Sequence, residues 1–179
     1  MTVSLELLPR GPSRPDLLED LVLAEADLTA TLARWSVRAP VEVPPDAATG
    51  LPGLDALAGG LHGDTPALLE VAPGLSGPGP AADRLVDLLA VATHSGVGFG
   101  AGLVPRGVDA GQVWALLAGA VAAMTGGDVR AALDRPAPER LLGLTRSARE
   151  AIRDVITCVV VPGDRVEAIS AGVRSAGRG

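Results

Sequence analysis

A chain of 179 residues with 47% hydrophobic side chains has apolar material for one packed domain and is too apolar for wholesale disorder. Two Trp, one Phe, no Tyr and no Lys leave Ala, Leu, Val and Gly to fill the core and Arg to supply every formal positive charge. The net charge of −6 is uneven, with 13 acids and 5 Arg in residues 1–90 and 8 acids and 10 Arg in residues 91–179; without a concentrated basic face, no nucleic-acid partner is expected.

In chain order, "TVSLELL" alternates and predicts a short strand, broken by "PRGPSRP". Ser13, Pro15 and the acids Asp16, Glu19 and Asp20 read as a helix start, and Leu17, Leu21, Leu28, Leu32 and Trp35 fall on one helical stripe; the spacing predicts an acidic amphipathic helix over about 16–37. Residues 39–53 are too rich in proline for regular structure, "TPALLEVA" is open between strand and helix, and "PGLSGPGP" is a second breaker-rich loop. Residues 81–92 read as a helix, or as a helix passing into a strand. Asp109 with Gln112 predicts the cap of another, "AGQVWALLAGAVAAM", which Gly126 closes. Two short helical pieces, "DVRAALD" and "PERLLGL", follow. Ser147 with Glu150 reads as a capping box opening a helix to about 157–160, although "TCVVV" also has strand propensity. The chain then divides into 1–38 (strand and acidic helix), 39–80 (Pro/Gly-rich linker) and 81–179 (Ala/Gly-rich core). The fold class expected is α+β, mainly helical, in a single small domain with a few short strands, with all-α as the alternative.

Several residues invite a chemical reading. Cys158 is alone and lies among β-branched residues, so it reads as a small buried hydrophobe; no disulfide and no thiol chemistry are expected. His62 and Asp64 lack the companions of a metal site, and no metal or cofactor is expected. His94-Ser95 lacks the flanking glycines of a nucleophile elbow, and no His follows it to serve as base. The Arg series Arg135, Arg140, Arg146, Arg149 and Arg153 is interrupted by Glu139, Glu150 and Asp154, which reads as a solvated helix surface with internal ion pairs.

The most distinctive stretch is 93–109, "THSGVGFGAGLVPRGVD". Gly96, Gly98, Gly100 and Gly102 alternate, so an extended chain there has one bare face that lets other main chain approach closely. The row Ala115, Gly119, Ala123 and Gly127, every four residues, predicts a smooth helical stripe that packs on that bare face. The second reading of 94–109 is a cradle for a small anionic ligand using His94, Ser95, Gly98, Gly100, Arg106 and Asp109. The pattern Gly98-x-Gly100-x-Gly102-Leu103-x-Pro105-x-Gly107-x-Asp109 resembles a segment in proteins associated with oxamate carbamoyltransferase. The likeness covers about twelve residues, and this chain has Val104, Arg106 and Val108 where that family carries Thr, Ser and a second Asp; it assigns no family and draws attention to Arg106 and Asp109.

Residues 88–127 hold only two formal charges, so a membrane hairpin is a third reading; the glycines and the lack of flanking Arg make buried core the better one. The N-terminus has no basic run followed by an apolar one, which makes a cytoplasmic location the expectation. The function expected is that of a non-catalytic accessory or scaffold protein, associating with a protein partner or with itself as a homo-oligomer. Its contact surface is expected at Leu17, Leu21, Leu28, Leu32, Trp35, Ala115, Gly119 and Ala123. The alternatives are an enzyme or enzyme subunit using 94–109 and a membrane-associated subunit.

Overall fold

A computed structural model describes residues 15–42, 66–71, 80–103 and 108–176. Its elements in chain order are β1 (Val22–Ala24), a 3-10 turn at Glu25–Asp27, α1 (Leu28–Arg34), β2 (Val41–Glu42), β3 (Ala67–Val71), α2 (Pro80–Ser95), β4 (Phe99–Leu103), α3 (Ala110–Thr125), α4 (Val129–Asp134), α5 (Pro138–Leu142), α6 (Arg146–Val155), β5 (Ile156–Val161), a 3-10 turn at Gly163–Arg165 and α7 (Val166–Ala176). The five strands form one sheet in the order β1-β5-β4-β3-β2, and each neighbouring pair is parallel. The molecule is therefore mainly helical α+β, and the sheet removes the all-α alternative.

Strand order decides which helices go where. From β2 the chain steps back across the sheet one strand at a time, whereas β1 connects to β2 by crossing the whole sheet in the other direction. Right-handed crossovers must then put the β1–β2 connection on one face and the helices of the β3–β4 and β4–β5 connections on the other. The buried clusters follow this rule. Face A carries Val22, Ala67, Leu69, Val71, Phe99, Ala101, Leu103, Val159 and Val161 under α2, α3, α6 and α7. Face B carries Leu23, Cys158 and Val160 under Leu28 and Leu32 of α1, with Val37 and Leu68 beside them.

β5 is buried at all six positions, as a strand covered on both faces must be. It contains an irregularity: Phe99 pairs with Ile156 and Gly100 with Cys158, so Thr157 has no counterpart. The extra residue puts Ile156 and Val159 on face A although they lie three apart.

α3 is the helical centre, with every residue from Val113 to Ala120 buried. Asp109 caps it by accepting the Gln112 N–H on Oδ1 at 3.0 Å, and Gly126 ends it in the left-handed conformation at φ 69°, both as its sequence predicts. Its small-residue stripe does not meet the glycine strand. A Cβ at Gly119 would lie 2.8 Å from Leu89 of α2 and 2.9 Å from Leu133 of α4, so the stripe admits helices.

The glycines of β4 serve face B. A Cβ at Gly100 would stand 3.1 Å from Cys158 Sγ, 3.2 Å from Leu68 and 3.4 Å from Pro40, which lies on the crossover from β1 to β2. Just before the strand, Gly98 is pressed against the main-chain carbonyl of Asp154. Bare backbone there lets the end of α6 and the crossover lie close to the sheet.

Three expectations need correction. The helix predicted over 16–37 is a turn, the strand β1 and the seven-residue α1, because pairing of Val22–Ala24 with Val159–Val161 outweighs the helical spacing of the leucines. Residues 67–71 of the expected linker are an inner strand. Thr145, not Ser147, caps α6, and that helix stops at Val155 because Ile156 enters the sheet. No helix among the described residues is long and apolar enough to cross a membrane; 88–127 divides into α2, β4 and α3. The strand predicted at 2–8 lies outside the described residues.

Candidate functional site

The richest polar assembly lies at the amino ends of β1 and β5, in the turn that replaced the expected helix start. Asp16 Oδ1 accepts the Leu17 N–H at 2.8 Å, and the Asp16 carbonyl accepts the Glu19 N–H at 3.1 Å. Leu17 and Leu21 drop into the core, each 1% exposed. Asp20 then turns the chain in the left-handed region, φ 48°, which Asp tolerates better than most residues. That conformation aims its carboxylate at the end of α1: Oδ2 accepts the Trp35 indole N–H at 3.0 Å and pairs with Arg34 at 2.9 Å. The Arg34 guanidinium also sits over the Trp35 ring, 5.9 Å from its centroid.

Arg153 ties this turn to the sheet. Its Nη1 donates to the carbonyls of Asp16, Leu17 and Glu19, at 3.3, 3.3 and 2.8 Å, and Nη2 donates to Thr157, the residue freed by the irregularity in β5, at 2.8 Å. The side chain is only 6% exposed. Burial pulls its pKa down to about 10, opposed by the nearby Cys158, Asp20, Glu19 and Asp16, so it stays charged at neutral pH. Burial also pushes the Cys158 thiol up to about 12, against the pull of Arg153, which keeps it protonated and unreactive.

Around this anchor an open groove of about 300 Å³ is lined by Pro15, Asp16, Glu19, Trp35, Arg146, Arg149 and Glu150. Arg149 pairs with Asp16 at 3.1 Å and Arg146 with Glu150 at 2.9 Å. With Arg34, Asp20 and the buried Arg153 included, four guanidiniums face four carboxylates, so no net charge draws in an ion of either sign. The Arg series was expected to be a solvated surface with internal ion pairs. That holds for Arg146, whereas Arg149 and Arg153 turn inward and clamp the acidic N-terminal turn. Arg153 was missed as an anchor because alternating charge on a helix usually marks a wet face.

The residues expected to form an anion cradle do not come together. His94 Nδ1 lies 2.7 Å from the Ala90 carbonyl and Ser95 Oγ donates to the Val91 carbonyl at 2.7 Å, both on the exposed last turn of α2 at the amino end of β4. Asp109 lies past the carboxyl end of that strand; five strand residues span roughly 16 Å. Its carboxylate serves the start of α3, where it repels an anion. Gly98 and Gly100 face packed atoms, and Arg106, His62 and Asp64 lie outside the described residues. Among the described residues, no three of His, Cys, Asp and Glu are placed to hold a metal ion.

Of the expected contact surface, Leu17, Leu21, Leu28, Leu32, Ala115 and Gly119 are buried within the molecule, because β1, α1 and α3 fold onto the sheet or onto other helices. Ala123 and Trp35 remain partly exposed, and only Trp35 lines the groove. Comparisons with protein-family models, with curated proteins and with solved structures gave no match to this chain.

Proposed function

We propose that the protein is a non-catalytic accessory or scaffold protein that works by association, with a second copy or another polypeptide seated in the groove at Trp35. The observation that carries this reading is the make-up of that groove: a partly exposed Trp beside Pro15, ringed by Arg146, Arg149 and carboxylates whose charges cancel. Trp and Arg dominate binding energy at protein interfaces, and an apolar centre with a charged rim is the usual anatomy of such a contact. The titratable groups displaced from their ordinary values among the described residues, Arg153 and Cys158, are buried and serve the packing. Light scattering across a hundredfold concentration range tests the self-associating form. A mass above that of the monomer is expected, returning to the monomer in Trp35→Ala; a monomer throughout sinks it, and an oligomer untouched by Trp35→Ala moves the contact elsewhere.

The sheet topology favours a second reading, a small-molecule site. β1 and β5 are neighbours, yet the helices that follow them go to opposite faces, α1 to face B and α7 to face A. Parallel sheets bind ligands where such connections diverge, outside the carboxyl ends of the strands. Here that place carries Glu25, Asp27 and Asp164, which suits a ligand rich in hydroxyl or amino groups. Thermal-shift screening of polyols and amines checks it: stabilisation lost in Asp164→Ala supports the site, and a silent panel retires it.

A further inference from the structure

We infer that the crossover 25–40, with α1 at its centre, is a strap that lifts off face B while the rest of the molecule stays folded, and that lifting uncovers Cys158. Among the described residues the two sides of the sheet are very unequal: thirty buried residues make the cluster on face A and five make the one on face B. α1 has seven residues, too few for a helix to hold its shape without tertiary contacts. It buries only Leu28, Thr31 and Leu32, and its first turn has no side-chain cap. At its other end one carboxylate, Asp20, holds both Arg34 and Trp35.

Among the described residues, no side chain of the strap belongs to the cluster on face A. β1 stays in place through its pairing with β5, through Leu21 and Val22 in the large cluster and through the Arg153 bonds to the turn before it. Local opening follows the units with least buried apolar area, and among the described residues the strap covers the smaller of the two clusters, apart from the large one. Beneath it lie Leu23, Cys158 and Val160, with Cys158 0% exposed in the closed state. Cys158 thus reports on the strap with no label introduced.

The test is the rate at which a disulfide-exchanging thiol reagent modifies Cys158 in the full chain, measured against urea and compared with global unfolding by circular dichroism. Modification about a hundredfold faster than global unfolding permits is expected, with a shallow urea dependence. Leu32→Ala should raise the rate at least tenfold by loosening α1. Arg34→Ala, which leaves the core untouched, should raise it severalfold and serves if Leu32→Ala does not fold. Modification that tracks global unfolding in rate and urea dependence, in the wild type and in either variant, overturns the inference.

Discussion

The Arg153 guanidinium donates to the Glu19 carbonyl at 2.8 Å across 134 residues of chain, and with that bond the acidic N-terminal turn is fastened to the end of α6. The same side chain holds Thr157 of β5, so one buried cation serves the turn, the helix and the strand irregularity together. Replacing it by methionine keeps the stem and leaves the carbonyls of Leu17 and Thr157 buried without a donor. Unpaired buried groups cost about 1–3 kcal/mol each, so Arg153→Met should lose roughly 2–6 kcal/mol in urea denaturation. Arg153→Lys should restore only part, because a point charge cannot span acceptors on both sides. A loss below 1 kcal/mol would show that water replaces the guanidinium freely.

Alkaline pH should weaken the fold through Cys158. The thiol stands at about 12 when folded against an ordinary value of 9.0 when exposed, so above pH 9 the unfolded chain gives up its proton while the folded one keeps it. Stability therefore falls as pH rises, by up to about 1.4 kcal/mol per unit. Arg153 acts in the opposite sense from pH 10 upward, since its folded value of about 10 lies below that of an exposed arginine and the unfolded chain then holds the extra proton. The thiol thus acts without that opposition between pH 9 and 10. The slope of unfolding free energy there should be steeper in the wild type than in Cys158→Ala, and equal slopes would contradict the burial of the thiol.

Two glycine replacements should part company. In Gly98→Ala the new methyl collides with the Asp154 carbonyl and lies 3.1 Å from Thr157 Oγ1, so backbone must move, and a loss of about 1–3 kcal/mol is expected. In Gly119→Ala the methyl meets the ends of Leu89 and Leu133, which can turn aside, and alanine gains about 1 kcal/mol of helix propensity. The net change there should stay within about 1 kcal/mol of zero. Chemical denaturation of both variants settles the order, and a reversed order would put the tight approach at α3 instead of at Gly98 before β4.

The start of α6 offers a test of the cap. Thr145→Ala removes the oxygen that accepts the Ala148 N–H and should cost about 1 kcal/mol, whereas Ser147→Ala should stay within about 0.5 kcal/mol. The capping box that Ser147 and Glu150 suggest requires the opposite ranking.

Much of this architecture is legible from local pattern. Asp109 before an apolar run and Gly126 after it mark both ends of α3 because capping is a short-range matter of side-chain reach and backbone freedom. The mainly helical α+β class, the burial of Cys158 and the bare face of the glycine segment are written in composition and spacing. The partner of that face was not, since alternation states that something approaches and leaves open what.

What escaped depends on contacts between distant residues. Leu17, Leu21, Leu28 and Leu32 have helical spacing, yet the three residues at 22–24 are a strand because β5 lies beside them with free hydrogen-bonding groups. The inward turn of Arg149 and Arg153 follows from where the acidic turn lands, and the groove at Trp35 exists only because Asp20 bends the chain back toward α1. Sequence by itself determined the caps, the apolar faces and the need for bare backbone, all set within a few residues. Tertiary structure alone decided which strand pairs with which and which charges go inside, since those energies are realised only when segments distant in the chain meet.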